Sequence, residues 1–273
     1  MKYSITIAIL AICLVAGTTA IAQDEKEKKK MSVSLGTDGF AVKSETKKEE
    51  NKIEKRFSVE IGIVDVGLNS IQDKSNYNST AAQALLNVPD AYQNENLFSL
   101  RSGKSWNVNV WPVIASWRLV DGEGQKIYFA TGVGLQMYNF RFNRPVTYIN
   151  EVVPTVYLDT VHTITKNKLG FTYLSVPLML TFKTKAAPKS WFVYGVGITG
   201  GYRLASWTKQ VSKEQGKQKN HDKFNFSDFN SCLTAEFGLD GYFRLYASYQ
   251  ITPLAENALE QYPFSIGIRF GGV

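Results

Sequence analysis

The sequence predicts an all-β fold: an eight-stranded antiparallel transmembrane β-barrel, preceded by an N-terminal signal peptide and a short periplasmic tail. Three observations predict it. Apolar and polar residues alternate along eight separate stretches, the period of strands with two unlike faces. Long and short connections alternate between those stretches, as in barrels with short periplasmic turns and long outer loops. The face opposite the apolar one is rich in Gly with isolated Arg and Glu, which suits a narrow polar interior better than a water-exposed exterior.

The N-terminus reads as a secretory leader. Lys2 supplies a positive start, Ile5 to Ala16 is an apolar run too short to span a bilayer, and Ala20-Ile21-Ala22 fits a small-x-small cleavage pattern. Residues 1–22 are therefore assigned as the signal peptide. Residues 23–55 form a mixed-charge periplasmic tail in which "MSVSLGTDGFAVKS" fits a short hairpin turning at Thr37-Asp38-Gly39. Residues 56–273 form the barrel. Cys13 leaves with the leader, so Cys232 is the single thiol of the exported chain, and no internal disulfide is available to stabilise it.

The eight strands are read at 57–64, 105–120, 126–142, 168–183, 191–207, 229–239, 242–252 and 262–273. No later segment carries eighteen consecutive apolar residues, so any membrane crossing is made by strands. In the first strand Phe57, Val59, Ile61 and Ile63 share a face opposite Glu60 and Gly62. In the second the alternation breaks near Trp111-Pro112, where a proline without a ladder donor fits a bulge. In the last, Phe264, Ile266, Ile268 and Phe270 are expected to meet lipid, with Arg269 turned inward. Glu60, Arg118, Glu236, Arg244 and Arg269 are expected inside the barrel, where charges must pair. Eight strands enclose a space that side chains just fill, so the interior is expected to be plugged. Trp106, Trp117, Tyr128, Tyr138, Trp191, Trp207 and Tyr262 lie near strand ends and are expected to form interface girdles. A soluble lipocalin-type barrel shows the same alternation; loop lengths and glycine content favour lipid.

The formal net charge is +7, but the lysines concentrate in tails and loops, so no nucleic-acid partner is expected. His162 and His221 fall in outer loops without a Cys ligand near them, so no metal site is expected. Asp159 and His162 imitate an acid/His pair, yet no nucleophile signature accompanies them. "GVGITGG" (195–201) lacks the Lys-Ser/Thr ending of a phosphate loop. No catalytic residue and no cofactor is expected.

Several stretches together resemble the PorT-like outer-membrane β-barrel family of Bacteroidetes-type bacteria: "SGKSWNVNV", "KNKLGFTYLSVPLMLTF", "ASWTKQ", "FNFSDFN", "YASYQITPL" and "YPFSIGIRF". Tyr173 to Leu178, with Pro177, and the Tyr-Pro-Phe ending are the more specific pieces. The resemblance covers residues 56–271 and implies an eight-stranded barrel in the outer membrane; both termini are expected to be periplasmic. It carries no catalytic motif. The expected role is a non-enzymatic scaffold or partner-binding component of the envelope, secretion-related, with a small-solute or lipid-binding barrel or narrow pore as the alternative. Expected partners are outer-membrane lipid, the barrel-assembly machinery, which reads an aromatic such as Phe270, and an envelope protein held by the loops or residues 23–55. Phe270 departs from that pattern in being followed by "GGV".

Overall fold

The computed structural model describes residues 56–150, 154–188, 190–255 and 258–271, with the backbone of 34–36 and 39–41. The expected signal peptide (1–22) and most of the expected 23–55 tail lie outside the described residues. The chain divides into two compact units, Met1–Ile53 and Glu54–Val273. In the first, β1 (Ser34–Gly36) and β2 (Gly39–Ala41) form an antiparallel hairpin.

The second unit contains β3 (Phe57–Asp73), α1 (Thr80–Leu85), β4 (Leu86–Asn87), β5 (Trp106–Asp121), β6 (Gln125–Arg141), β7 (Val146–Ile149) and β8 (Thr155–Leu158). It continues with β9 (Ile164–Ala187), β10 (Ser190–Ser212), β11 (Gly216–His221), β12 (Phe229–Leu239), β13 (Arg244–Gln250) and β14 (Gln261–Phe270). Eight of these close a ring in the order β3-β5-β6-β9-β10-β12-β13-β14, every neighbouring pair antiparallel. Pairing of β14 with β3, from Gln261↔Asp73 to Phe270↔Val64, makes the seam. A closed ring leaves no unpaired edge, which hydrocarbon requires because it offers no other hydrogen-bond partner.

Side chains sort by strand parity. Val196, Ile198, Leu233, Phe237, Leu245, Ile266 and Phe270 are among the exposed apolar residues of the outer wall. Glu236, Tyr246, Ser248 and Ser265 alternate with them and are buried inside. The alternation slips at several places, among them Arg203/Ala205 on β10, which brings Trp207 outward, and Arg118/Val120 on β5; two others bear directly on the sequence reading. At Gly62, φ is +77°, a left-handed conformation that favours glycine. Ile61 before it is 80% exposed and Ile63 after it 3% exposed. The expected common face of Ile61 and Ile63 is therefore corrected: the left-handed backbone at Gly62 turns Ile63 into the lumen. The second slip is the expected one, a register shift between Val110 and Val113 spanning Trp111-Pro112. It turns Trp111 inward, 2% exposed.

β3 is longer than the sequence reading allowed, running on through Asp65 and Asn69 to Asp73. β9 and β10 have 24 and 23 residues. A tilted strand needs about 9–11 to cross the hydrocarbon, so both project well beyond it. The long connections fold over the outer mouth. There α1 is capped by Ser79, whose Oγ accepts the Ala82 amide at 3.2 Å. A small sheet of β4, β8 and β7 lies in the same connections, with β4 parallel to β8. Leu97, Phe98, Val146, Val156, Phe224, Phe226 and Leu254 from these loops pack with the inward Tyr138, Phe140, Leu169, Phe171 and Tyr173 of β6 and β9. Phe171 and Phe226 meet edge-on at 4.8 Å between ring centres. The outer half of the barrel is thus closed by a dry aromatic core.

Candidate functional site

Beneath the aromatic core lies a layer of charges. Asp65 on β3 is fully buried. It accepts four bonds: from Arg269 Nε at 2.7 Å and Nη2 at 2.9 Å, Asn109 Nδ2 at 3.1 Å and Trp111 Nε1 at 2.8 Å. That fills the acceptor sites of an ionised carboxylate. Arg269 also donates to Glu236 at 2.8 Å. Arg244 reaches Glu236 from the next strand at 3.3 Å, and donates to the Gly271 carbonyl at 3.0 Å. Thr181 adds a donor to Glu236 at 3.2 Å. Two acids and two arginines balance, so the layer is neutral, which is what permits ions inside a bilayer. A polar chain extends it: Tyr246 donates to Asn107, and Asn107 to Asn109 at 2.9 Å. Gly67 and Gly267 make room for that phenol: an added Cβ would lie 2.5 Å from Tyr246 Oη and 2.7 Å from Tyr246 Cε1, respectively.

Below the ions the barrel is hollow. A cavity of about 540 Å³ is lined by Glu60, Ile63, Met179, Thr181, Glu236 and Arg269. Its rim includes Phe57, Lys126, Trp191 and Asp240, which sit at strand ends beside the short turns. The cavity therefore opens at the mouth that carries the short turns, here called the inner mouth. Lys183 and Asp240 pair on its wall at 2.8 Å, and Lys183 and Lys126 lie over the rings of Tyr128 and Trp191.

The sequence-derived residues divide accordingly. Glu236, Arg244 and Arg269 share one cluster. Glu60 stands lower, on the cavity wall. Arg118 pairs with Asp121 at the end of β5, 3.3 Å away. Phe264, Ile266, Ile268, Phe270 and Tyr262 lie on the outward parity of β14. Trp106 and Trp117 are exposed on the wall. Trp207 stands on the outward parity of β10 above the aliphatic belt. Three aromatics are corrected: Trp191 and Tyr128 line the cavity, and Tyr138, 4% exposed, belongs to the aromatic core. Each has inward parity, which nearness to a strand end cannot reveal.

Sequence reading missed Asp65, Asn107, Asn109 and Arg203. Arg203 fastens an outer loop to the wall, donating to the carbonyls of Lys223, Phe226 and Ser227 and pairing with Asp228 at 2.6 Å. The signal for Asp65 was present: it follows the β3 alternation once Gly62 is allowed to shift the phase. Asp159 is engaged within its own turn, accepting the amides of Val161 and His162 and meeting His162 Nδ1 at 2.9 Å. The other ring nitrogen of His162 meets Gln215 at 2.9 Å. Among the described residues no group of three or more His, Cys, Asp or Glu is placed to hold a metal ion.

A closed ring of eight antiparallel strands, apolar outside and ion-paired within, defines a transmembrane β-barrel of the outer membrane. The family model of the outer membrane protein beta-barrel domain matches residues 74–255, more than half of the chain, and the chain belongs to that family. Among solved structures, it is similar to Ail, the attachment invasion locus protein of Yersinia pestis. That match has 9% identity and a TM-score of 0.27 and covers 78% of this chain and 98% of Ail. The complex of Ail with the heparin analogue sucrose octasulfate matches with 9% identity, a TM-score of 0.26 and the same coverage. No curated protein matches the chain.

Proposed function

We propose that the chain is a non-enzymatic scaffold of the outer membrane that receives an envelope partner from the periplasmic side. The observation that carries this reading is the unequal closure of the two mouths. The outer mouth is sealed by the aromatic core, whereas the inner one opens on a cavity of about 540 Å³ with charged and aromatic walls. A sealed barrel favours holding over conducting. The resemblance to PorT-like barrels of Bacteroidetes-type bacteria, carried by Tyr173 to Leu178 and Tyr262 to Phe264, supports a place in protein export. A second reading, a barrel that binds a small amphiphile, is favoured by the apolar part of the same wall, Phe57, Val59, Ile63 and Met179.

The test uses the buried Cys232 as background. A Ser58→Cys variant places a thiol at the inner mouth, and Val161→Cys places one on an outer loop that is 84% exposed. Thiol-directed crosslinking in intact envelopes is expected to join a defined protein to the Ser58 variant and not to the Val161 variant. Crosslinking at neither site, together with release of an extractable amphiphile from purified protein, would favour the second reading. Steady single-channel conductance by the wild type would reject both.

A further inference from the structure

The outer wall carries an unusual run of cations. Arg141 pairs in register with Lys168, Lys168 with Lys209, and Lys209 with Lys219, so one rung crosses β6, β9, β10 and β11 with a positive charge on every strand. Paired residues of antiparallel strands share a face. Here it is the outward one, since Leu169 and Phe140 beside them point into the core. On the next rung Lys166 and Lys217 flank Val211. Like charges set directly opposite one another destabilise a sheet. The charged neighbours of Lys168 are Lys166, Arg141 and Lys209, and those of Lys209 are Lys217, Lys166 and Lys219. Two carboxylates on these loops are engaged elsewhere: Glu214 accepts the Thr163 amide at 3.0 Å and Asp222 accepts Asn150 at 2.6 Å. The row is thus assembled against its own repulsion, without acids interspersed.

Its height says what neutralises it. On β10 the outward residues run Val196, Ile198, Tyr202, Leu204, Trp207 and Lys209. Trp207 lies against Gly170 and under the Lys219 ammonium, 4.9 Å from its ring centre. Interfacial Trp marks the edge of the hydrocarbon. Lys209 stands two residues, or about 7 Å of strand, further out. A headgroup layer is about 5–7 Å deep on each side of a bilayer. The row therefore stands at the depth of the phosphates of the outer leaflet.

We propose that Arg141, Lys168, Lys209 and Lys219 form a binding strip for the phosphate groups of a phosphorylated glycolipid in the outer leaflet. Lysine ammoniums on flexible stems suit phosphates that lie side by side in a lipid surface, and Arg141 adds a planar donor. The strip is independent of the inward cavity and of any partner held there.

The experiment uses the full exported chain folded into vesicles of phosphatidylcholine, with or without diphosphorylated lipid A, or with the same glycolipid stripped of phosphate. The readout is the midpoint of heat-induced loss of the compact gel form, followed with lipid titration. The wild type is expected to gain stability with diphosphorylated lipid A alone. The Lys168→Gln/Lys209→Gln/Lys219→Gln variant is expected to bind it roughly 100-fold more weakly. In phosphatidylcholine alone the same variant is expected to melt at or above the wild-type midpoint, because the repulsion is gone. The corresponding triple arginine variant should keep the gain. The proposal is overturned if the glutamine variant retains the wild-type gain. It is also overturned if the dephosphorylated glycolipid or free inorganic phosphate reproduces that gain, or if the arginine variant loses it.

Discussion

The outer and inner halves of this barrel share eight strands and one circumference, yet one is solid and the other hollow. The outer half is filled by Tyr138, Phe140, Phe171 and Tyr173 from the wall and by Leu97, Phe98 and Phe226 from the loops. The inner half presents Ser58, Ser116, Ala130 and Thr181 to its axis, and leaves a cavity. Strand number sets the width of a barrel; the size of each inward residue decides whether that width is used. Between the two halves the ion layer belongs to neither, because it is held by strand positions near the seam and not by loop packing.

That division can be broken by single changes. The largest effect is expected from Asp65→Ala, which removes the carboxylate that Arg269, Asn109 and Trp111 all donate to and leaves Glu236 as the sole acid facing two arginines. The cost is about 3–5 kcal/mol of barrel stability, read from urea unfolding in vesicles. Leu97→Ala removes a wholly buried side chain from the cap and is expected to cost about 2–5 kcal/mol. Its signature differs, with faster amide exchange confined to the outer loops. If the two halves are independent, the double variant should be additive within about 0.5 kcal/mol. Gly67→Ala forces a methyl group against Tyr246 and should cost about 1–3 kcal/mol, with Tyr246→Phe restoring part of it by removing the hydroxyl.

The smallest effect is on pH response in the outer loops. Burial acts to raise the Asp159 pKa, but the hydrogen bonds from His162 and Val161 outweigh it and hold the carboxyl below its ordinary value. A folded pKa below the unfolded one stabilises above the unfolded value, about 3.9, and the gain is lost as pH falls through the folded value. Acidification should therefore loosen the 159–164 turn, as measured by amide exchange. Asp159→Asn should abolish that dependence.

Much of the barrel was legible because lipid imposes a strict rule: every second residue outside is apolar. All eight wall strands were found, and the bulge at Trp111-Pro112 with them. β3 was cut short because Asp65, Asn69 and Asp73 look like loop residues unless the strand is known to face a polar lumen. Reading the Ile61-Gly62-Ile63 stretch without a left-handed residue at Gly62 also put Ile63 on the wrong side. The packing of the cap was not legible. Its contacts join residues such as Leu97, Phe171, Phe226 and Leu254, and no local pattern announces which loops meet. Of the site, Glu236, Arg244 and Arg269 were read from parity, whereas their grouping needed the register, which places Arg244 opposite Arg269 and Arg269 opposite Asp65.

The pairing of Asp65 with Arg269 joins positions 204 residues apart. One partner stands on the first strand of the ring and the other on the last. Until β14 docks, the hydrocarbon-depth carboxylate on β3 has no cation, and an open sheet cannot be left in lipid with that charge unmet. Neutralisation of Asp65 by Arg269 is therefore coupled to the docking of the last strand. The early strands must wait in a wet or protein-lined setting until the C-terminus arrives, and a chain truncated before Arg269 can neither close its edge nor neutralise its interior. The salt bridge at the seam is in this sense a completion signal written into the wall, read by the membrane itself.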